Sequence, residues 1–170
     1  MNLRIREPVL ADANKFIKTM QNSVSLHSPW TIAPKTLEEF EKYITRCQLP
    51  NQKGFLVESD EGEIAGVFNI SEIVLGCFQS GYLGYYATID YIGKGVMSAA
   101  LKLVLKNAFE EMKLHRIEAN IQPGNERSIQ LVKSNGFRKE GFSPRYLQID
   151  GKWCDHERWA ITYEDWEKRA

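Results

Sequence analysis

The 170-residue sequence predicts an α+β fold, in which helices flank a mixed and mostly antiparallel sheet. Short runs of alternating apolar residues predict strands, and two turn sequences, Asp60-Glu61-Gly62 and Asp150-Gly151, predict hairpins between neighbouring strands. Between about Tyr82 and Ile121, a strand, a long amphipathic helix and another strand follow one another. Strands joined by such a crossover run parallel, so the sheet should contain one parallel pair at its centre.

The N-terminal part of the chain predicts one strand and two helices. Leu3 to Arg6 alternates apolar and basic residues, which is typical of an edge strand. Apolar residues at helical spacing from Phe16 to Met20 predict the first helix, after which His27 falls in a loop. Thr36 and Glu39 have the spacing of a capping box, in which each side chain satisfies an N–H near the other, so a second helix begins there.

The central part predicts three strands and the strongest helix of the chain. Phe55 to Glu58 and Ile64 to Ile70 form the first hairpin, and a further strand covers about Tyr82 to Ile89. An apolar stripe then recurs at i, i+3 and i+4 from Met97 to Met112, opposite a charged face. This pattern predicts a long helix with one face in the core.

The C-terminal part predicts a strand, a short helix and a hairpin. Ile117 to Ile121 alternates as a strand, and Asn125 stands where an N-cap should, ahead of a helix that Gly136 ends. Tyr146 to Ile149 and Trp153 to Ile161 flank the second hairpin turn. The predicted order is therefore β-α-α-β-β-β-α-β-α-β-β, without an internal repeat or linker.

The bulk composition bounds the class of protein. A chain of 170 residues that is 43% hydrophobic fits a single domain over residues 1–170 with a substantial core. Lys and Arg total 22, as do Asp and Glu, so no overall field favours nucleic acid or an anionic membrane. The sequence shows no apolar run of membrane-spanning length and no signal peptide, which favours a cytoplasmic protein.

The three cysteines, Cys47, Cys77 and Cys154, are odd in number and far apart, which indicates reduced thiols rather than disulfides. Cys154 and His156 would share one face of the last hairpin, but no second pair of metal-ligating residues accompanies them. We therefore predict that these two residues are structural and that the protein binds no metal.

The junction between a central strand and the long helix predicts an anion site. Gly93 and Gly95 flank Lys94 where the helix begins. Backbone N–H groups at a helix start lack intrahelical partners, and glycines let an anionic ligand approach them closely. A pair of glycines is by itself a weak signal, and a plain loop is the alternative. The strand before the glycines and the helix after them favour a ligand.

The element order, this glycine junction and the stretch from Asn125 to Phe137 resemble the GCN5-related N-acetyltransferase (GNAT) family, whose members transfer an acetyl group from acetyl-CoA to amines. Within that family the chain is most similar to the RimJ/RimL group, which acetylates the N-termini of ribosomal proteins. The resemblance covers nearly the whole chain. The most RimJ-like segments are Tyr82–Tyr85, Gly93–Gly95, Leu114–Ile117, Asn125–Ser128, Lys139–Gly141 and Tyr146–His156.

The resemblance implies that acetyl-CoA is the cosubstrate, and it implies where acetyl-CoA binds. The two parallel strands would splay apart, and pantetheine would lie in the gap against the backbone of the first strand. Pyrophosphate would bind the N–H groups at the helix start, and Asn125 would reach pantetheine from the other side, although plain N-capping explains Asn125 equally well. The residues implied on acetyl-CoA are Tyr86, Ala87, Thr88, Gly93, Lys94, Gly95, Val96, Met97, Ser98 and Asn125.

The chain departs from the family pattern at three positions. Ile92 stands where the family has Gln or Arg, and Met97 stands where it has a small residue, so the anion site should rest on backbone N–H groups. Val132 stands where many members have a tyrosine that acts as general acid. In RimL-like members a serine on the first turn of this helix is implicated instead, and Ser128 matches it.

Three residues are candidates for the chemistry. The resemblance implies that Ser128 protonates the departing thiolate, while the alternative is a polar residue of a first helical turn without a catalytic role. Glu72 and Glu118 lie on or beside central strands and are candidate bases, with a solvated face as the alternative. Because an α-amine titrates near about 8, an acceptor amine is partly neutral at cellular pH, and a strong base is not required.

The residues and the resemblance together predict acetylation of a protein N-terminus, on a ribosomal protein that begins with alanine, by direct attack of the α-amine on the thioester. Transient association with the ribosome would follow. One alternative is the same chemistry on a small amine, such as a polyamine, amino sugar or antibiotic, and another is a non-catalytic acyl-CoA-binding module. A closed acidic pocket beside the loop from Ser25 to Lys35 would favour a small amine, and an open groove would favour a peptide. The sequence leaves open whether the protein is a monomer or a homodimer.

Overall fold

A seven-stranded sheet organises the computed structural model, which describes residues 2–169. The strands are β1 (Leu3–Arg6), β2 (Lys53–Ser59), β3 (Ile64–Val74), β4 (Ser80–Ala87), β5 (Arg116–Ile121), β6 (Arg138–Ile149) and β7 (Lys152–Thr162). Their order in the sheet is β1-β2-β3-β4-β5-β7-β6. Every neighbouring pair is antiparallel except β4 and β5, which are parallel. The predicted α+β fold with one central parallel pair is therefore confirmed.

Six helices flank this sheet. They are α1 (Ala13–Asn22), α2 (Val24–His27), α3 (Leu37–Cys47), α4 (Val96–Lys106), α5 (Glu126–Ser134) and α6 (Tyr163–Glu167). Single 3₁₀ turns cover Leu10–Asp12 and Ile89–Tyr91, and a π-helical turn over Asn107–Glu111 extends α4. The predicted capping box is confirmed at the start of α3, where Thr36 and Glu39 each bond the other's backbone. No helix within residues 2–169 is both long and apolar enough to cross a membrane.

Two hydrophobic cores lie on opposite faces of the sheet because neighbouring strand residues point to opposite sides. Val57 and Phe68 pack in the larger core with α4 and α5. Leu56 and Val67, each adjacent in sequence to one of those residues, pack in the smaller core with α1 and α3. The smaller core covers only the half of the sheet around β2, β3 and β4.

The gap between β4 and β5 opens as the resemblance implies. Only three residue pairs join the two strands, from Ser80 with Arg116 to Tyr82 with Glu118. Beyond Tyr82, β4 continues to Ala87 without a partner from β5. The two strands therefore separate after Tyr82 and Glu118.

Several predicted boundaries are wrong, and each has a local cause. The central strand covers Ser80–Ala87 instead of Tyr82–Ile89, because Thr88 already caps the 3₁₀ turn that follows. β3 continues to Val74 through an irregularity after Ser71. β6 begins at Arg138, well before the predicted Tyr146, since its exposed edge carries few apolar residues to mark it.

Two short helices are absent from the sequence prediction. His27 lies at the end of α2, not in a loop. α6 adds a last helical turn, whose Tyr163 and Trp166 rings pack against Phe109. Both helices are five residues or fewer, too short for a periodic pattern, and tertiary packing decides them.

Candidate active site

The glycine junction has the geometry of an anion site. Gly93 and Gly95 both adopt left-handed backbone, with φ of 72° and 73°, and Gly95 caps α4. The first amide of α4 that donates to a backbone carbonyl is that of Ala99, which bonds Gly95 at 3.1 Å. Within residues 2–169, the amides from Gly93 to Ser98, which include that of Val96, have no acceptor. They are ready donors for a phosphate oxygen.

The side chains at this junction leave the anion site to the backbone. The Lys94 ammonium donates to the carbonyl of Asp90 at 2.8 Å and lies over the Tyr91 ring, 5.4 Å from its centroid. Ile92 is exposed and carries no donor. The departure of Ile92 from the family pattern therefore leaves a site made of N–H groups.

Met97, the other departure, is matched by a glycine on β3. A Cβ at Gly66 would lie 2.6 Å from the Met97 Sδ, so the methionine occupies the space that a glycine leaves. Next to it, Ser98 Oγ accepts from the amide of Asn135 at 3.0 Å. Asn135 is buried and joins the start of α4 to the end of α5, a contact that the sequence prediction missed.

Across the gap, the first turn of α5 carries Asn125 and Ser128. Asn125 Oδ1 accepts from the Ser128 amide at 3.2 Å, which confirms the predicted N-cap. Tyr85 of β4 reaches across the gap and donates its hydroxyl to the Ser128 carbonyl at 3.3 Å. Burial raises the pKa of Tyr85 to about 12, so its hydroxyl stays protonated at neutral pH. Val132, where the family has a tyrosine, is fully buried in the larger core.

Buried polar atoms without hydrogen-bond partners among the described residues lie near the ends of both strands that border the gap. Thr88, directly after β4, has such a hydroxyl, and so does Tyr86, whose ring packs in the smaller core. Near the end of β5, Asn120 Oδ1 and Gln122 Nε2 are also buried and have no hydrogen-bond partner among the described residues. Leaving a buried polar group unpaired costs about 1–3 kcal/mol. A ligand rich in amide groups, such as pantetheine, fits this gap.

The segment around α2 covers one side of the same gap. His27 Nε2 donates to the Ala87 carbonyl at 2.8 Å, and Ile89 N donates to Ser23 Oγ at 3.0 Å. A Cβ at Gly124 would lie 3.2 Å from the Trp30 ring, so Trp30 packs against the turn between β5 and α5. We refer to residues 23–30 as the α2 strap. The strap contacts the end of β4 and the turn that follows β5. Burial lowers the pKa of His27, which keeps its imidazole neutral.

A groove open to solvent leads from the strap across the smaller core. It has a volume of about 530 Å³ and lies between α3, the loop before α3, and the strands β3 and β4. At Arg46, Asn69 and Gly84 it continues into a second depression that Glu72 lines. The groove floor includes Tyr85 and Tyr86, which lie on β4 beyond its last pair with β5. We refer to it as the acceptor groove.

The predicted catalytic residues are not joined by direct contacts. Glu72 has left-handed backbone in β3, is exposed, and accepts from Gln52 at 3.4 Å. Glu118 lies on β5 and forms an ion pair with Arg116 at 2.8 Å. Within the described residues, neither carboxylate bonds Ser128. The site also includes Tyr85 and the α2 strap, whose His27 the sequence analysis placed in a loop.

Comparison with known proteins agrees with this geometry. The family model for the acetyltransferase (GNAT) domain matches residues 2–138. The [ribosomal protein uS5]-alanine N-acetyltransferase of Escherichia coli is 44% identical over 111 residues, which cover 65% of this chain and 57% of that protein.

Two solved structures are also similar. Mycobacterium smegmatis RimJ, in complex with CoA-disulfide, has a TM-score of 0.88 at 28% identity, over 95% of this chain and 82% of that one. Vibrio cholerae spermidine N-acetyltransferase, in complex with CoA and spermine, has a TM-score of 0.83 at 21% identity, over 97% and 98% of the chains. The second likeness shows the fold alone, so the substrate class must be argued from the site.

Proposed function

We propose that this chain, which belongs to the GNAT acetyltransferase family, is an enzyme that acetylates the N-terminal α-amine of a protein. The observation that carries the proposal is the acceptor groove, which is open to solvent and includes the part of β4 that no longer pairs with β5. An extended peptide fits an open groove, because only its first residue must enter the gap. The similarity to the Escherichia coli enzyme favours a ribosomal protein that begins with alanine, and a transient encounter with the ribosome.

The acetyl donor is acetyl-CoA. Its pyrophosphate would accept hydrogen bonds from the free amides between Gly93 and Ser98. Pantetheine would lie between the ends of β4 and β5, where Thr88 and Asn120 offer unpaired polar atoms. Ala87 lies on this wall too, with its carbonyl already bonded to His27. Asn125, at the other wall, is also the N-cap that orients Ser128.

The chemistry needs positioning and proton transfers of modest difficulty. The neutral α-amine attacks the thioester carbonyl, a C–N bond forms, and the C–S bond breaks as the thiolate leaves. An α-amine titrates near about 8 and a thiol near about 8.5, so neither proton transfer demands a strong catalyst. Ser128 would protonate the thiolate, while Glu72, which lines the second depression of the groove, would take the amine proton through water. Glu118 is a weaker candidate because Arg116 already binds it.

The charges of the acceptor groove disfavour a polyamine. The groove is lined by the carboxylate of Glu39, which keeps its charge, but the Oε2 atom of Glu39 already accepts hydrogen bonds from the amides of Lys35 and Thr36. The groove also carries the cations Lys42 and Arg46. A peptide with one reacting amine meets fewer like charges there than spermidine would.

The proposal is tested with a short alanine-first peptide that also contains an internal lysine. Mass spectrometry of the product should locate the acetyl group on the α-amine of the alanine. The matched control is the same peptide with a blocked N-terminus, which should remain unmodified. Acetyl groups found only on lysine, or none at all with saturating acetyl-CoA, would overturn the proposal.

A further inference from the structure

Arg46 occupies the point where the two parts of the acceptor groove meet. Together with Asn69 and Gly84 it lines both parts. Gly84 lies on β4 one residue before Tyr85, whose hydroxyl bonds the Ser128 carbonyl. A peptide whose first residue enters the gap would therefore pass Arg46 with the residues that follow.

The guanidinium of Arg46 has no carboxylate within ion-pair distance among residues 2–169, unlike the other cations of the groove. Lys42, which lines the same groove, is paired with Glu38 at 2.6 Å. Lys53, in the second depression, is paired with Glu7. Among the described residues, Arg46 is thus the cation of the groove that has no carboxylate partner, although the carboxylates of Glu39 and Glu72 line other parts of it.

Arg46 is also held in place without being neutralised. Its guanidinium lies over the Tyr43 ring, 5.6 Å from the ring centroid. Tyr43 is buried, and its hydroxyl donates to Asn69 Oδ1 at 2.8 Å, so the ring is a fixed platform. A guanidinium stacked on a fixed ring keeps its N–H groups free for a ligand and loses little side-chain entropy when it binds a carboxylate.

We propose that Arg46 selects acceptor peptides that carry a carboxylate side chain shortly after the first residue. The inference rests on the proposed function, since it assumes that a peptide occupies the acceptor groove. A planar guanidinium donates two parallel hydrogen bonds to a carboxylate of opposite charge. A neutral amide side chain carries no charge and therefore binds it more weakly. The partner is therefore a protein N-terminus with an acidic residue close behind its first residue.

The test compares alanine-first peptides that differ only by Glu or Gln at successive positions after the alanine. For the wild type, kcat/KM should favour one Glu peptide over its Gln partner by about fivefold, mainly through KM. Raised salt should lower this ratio. Arg46→Gln should bring the ratio to about one, and Arg46→Glu should favour a Lys peptide. Lys42→Gln, which removes a paired cation from the same groove, should keep the wild-type ratio.

The outcomes separate this inference from the proposed function. A wild-type ratio near one at every position, with both peptides acetylated, overturns the role of Arg46 alone. A ratio that persists in Arg46→Gln also overturns it, provided that unchanged acetyl-CoA affinity shows the variant to be folded. If the wild type acetylates none of the peptides, the proposed function fails, and the inference fails with it.

Discussion

The part of this site proposed to bind acetyl-CoA consists of backbone amides, whereas the acceptor groove is lined largely by side chains. At the start of α4, the proposed pyrophosphate contacts are amides of consecutive residues, made available by the left-handed Gly95. In the acceptor groove, the lining residues come from the loop before α3, α3, β3 and β4, far apart in sequence. A backbone site should tolerate changes of side chain such as those at Ile92 and Met97. A groove made of side chains can change its substrate with a few substitutions.

The largest effect is expected at the backbone site. Gly95→Ala places a Cβ on a left-handed residue and strains the backbone that presents the amides, so the Kd for acetyl-CoA should rise by more than about tenfold. Gly151→Ala is the matched control, because Gly151 has the same φ of 73° and equally open surroundings at the distal hairpin. Isothermal titration calorimetry measures both affinities. Equal Kd values for the two variants would contradict a backbone site.

The next effect concerns the reacting end of the gap. Ser128→Ala should lower kcat by about fivefold with little change in acetyl-CoA affinity, because a thiol that titrates near about 8.5 needs only modest help to leave. Tyr85→Phe removes only the hydrogen bond to the Ser128 carbonyl, so its effect on kcat should be smaller. Steady-state thiol release measures kcat. An unchanged kcat in Ser128→Ala would remove the acid role.

The smallest expected effect is a pH dependence of the free energy of unfolding, caused by His27 of the α2 strap. Burial holds the pKa of His27 below its ordinary value of 6.5, so the unfolded chain binds a proton there that the folded chain does not. His27 thus contributes full stability above about pH 6.5, and the free energy of unfolding falls as the pH drops below that value. His27→Gln keeps a donor toward Ala87 but does not titrate.

Urea unfolding of both proteins between about pH 5 and pH 8 measures this difference. The free energy of unfolding should fall more steeply at acid pH in the wild type than in His27→Gln. Parallel pH profiles of the two proteins would show that His27 is not buried in its neutral form.

The same contrast explains what the sequence could predict. The capping box of Thr36 and Glu39, the N-cap at Asn125 and the glycines of the anion site depend on neighbours in sequence, and all can be identified from the chain. The His27 contact joins residues 60 apart, and the Trp30 contact with Gly124 joins residues still farther apart. No local pattern signals such contacts, so the strap and the role of Arg46 emerge only from the folded structure.

The most direct test of the whole account is an internal competition. Wild-type enzyme receives limiting acetyl-CoA with equimolar spermidine and an alanine-first peptide that carries an early glutamate, and mass spectrometry measures the ratio of the two products. The open acceptor groove and the unpaired charge of Arg46 predict that α-acetylated peptide exceeds acetylspermidine by more than about tenfold. An excess of acetylspermidine would contradict the account.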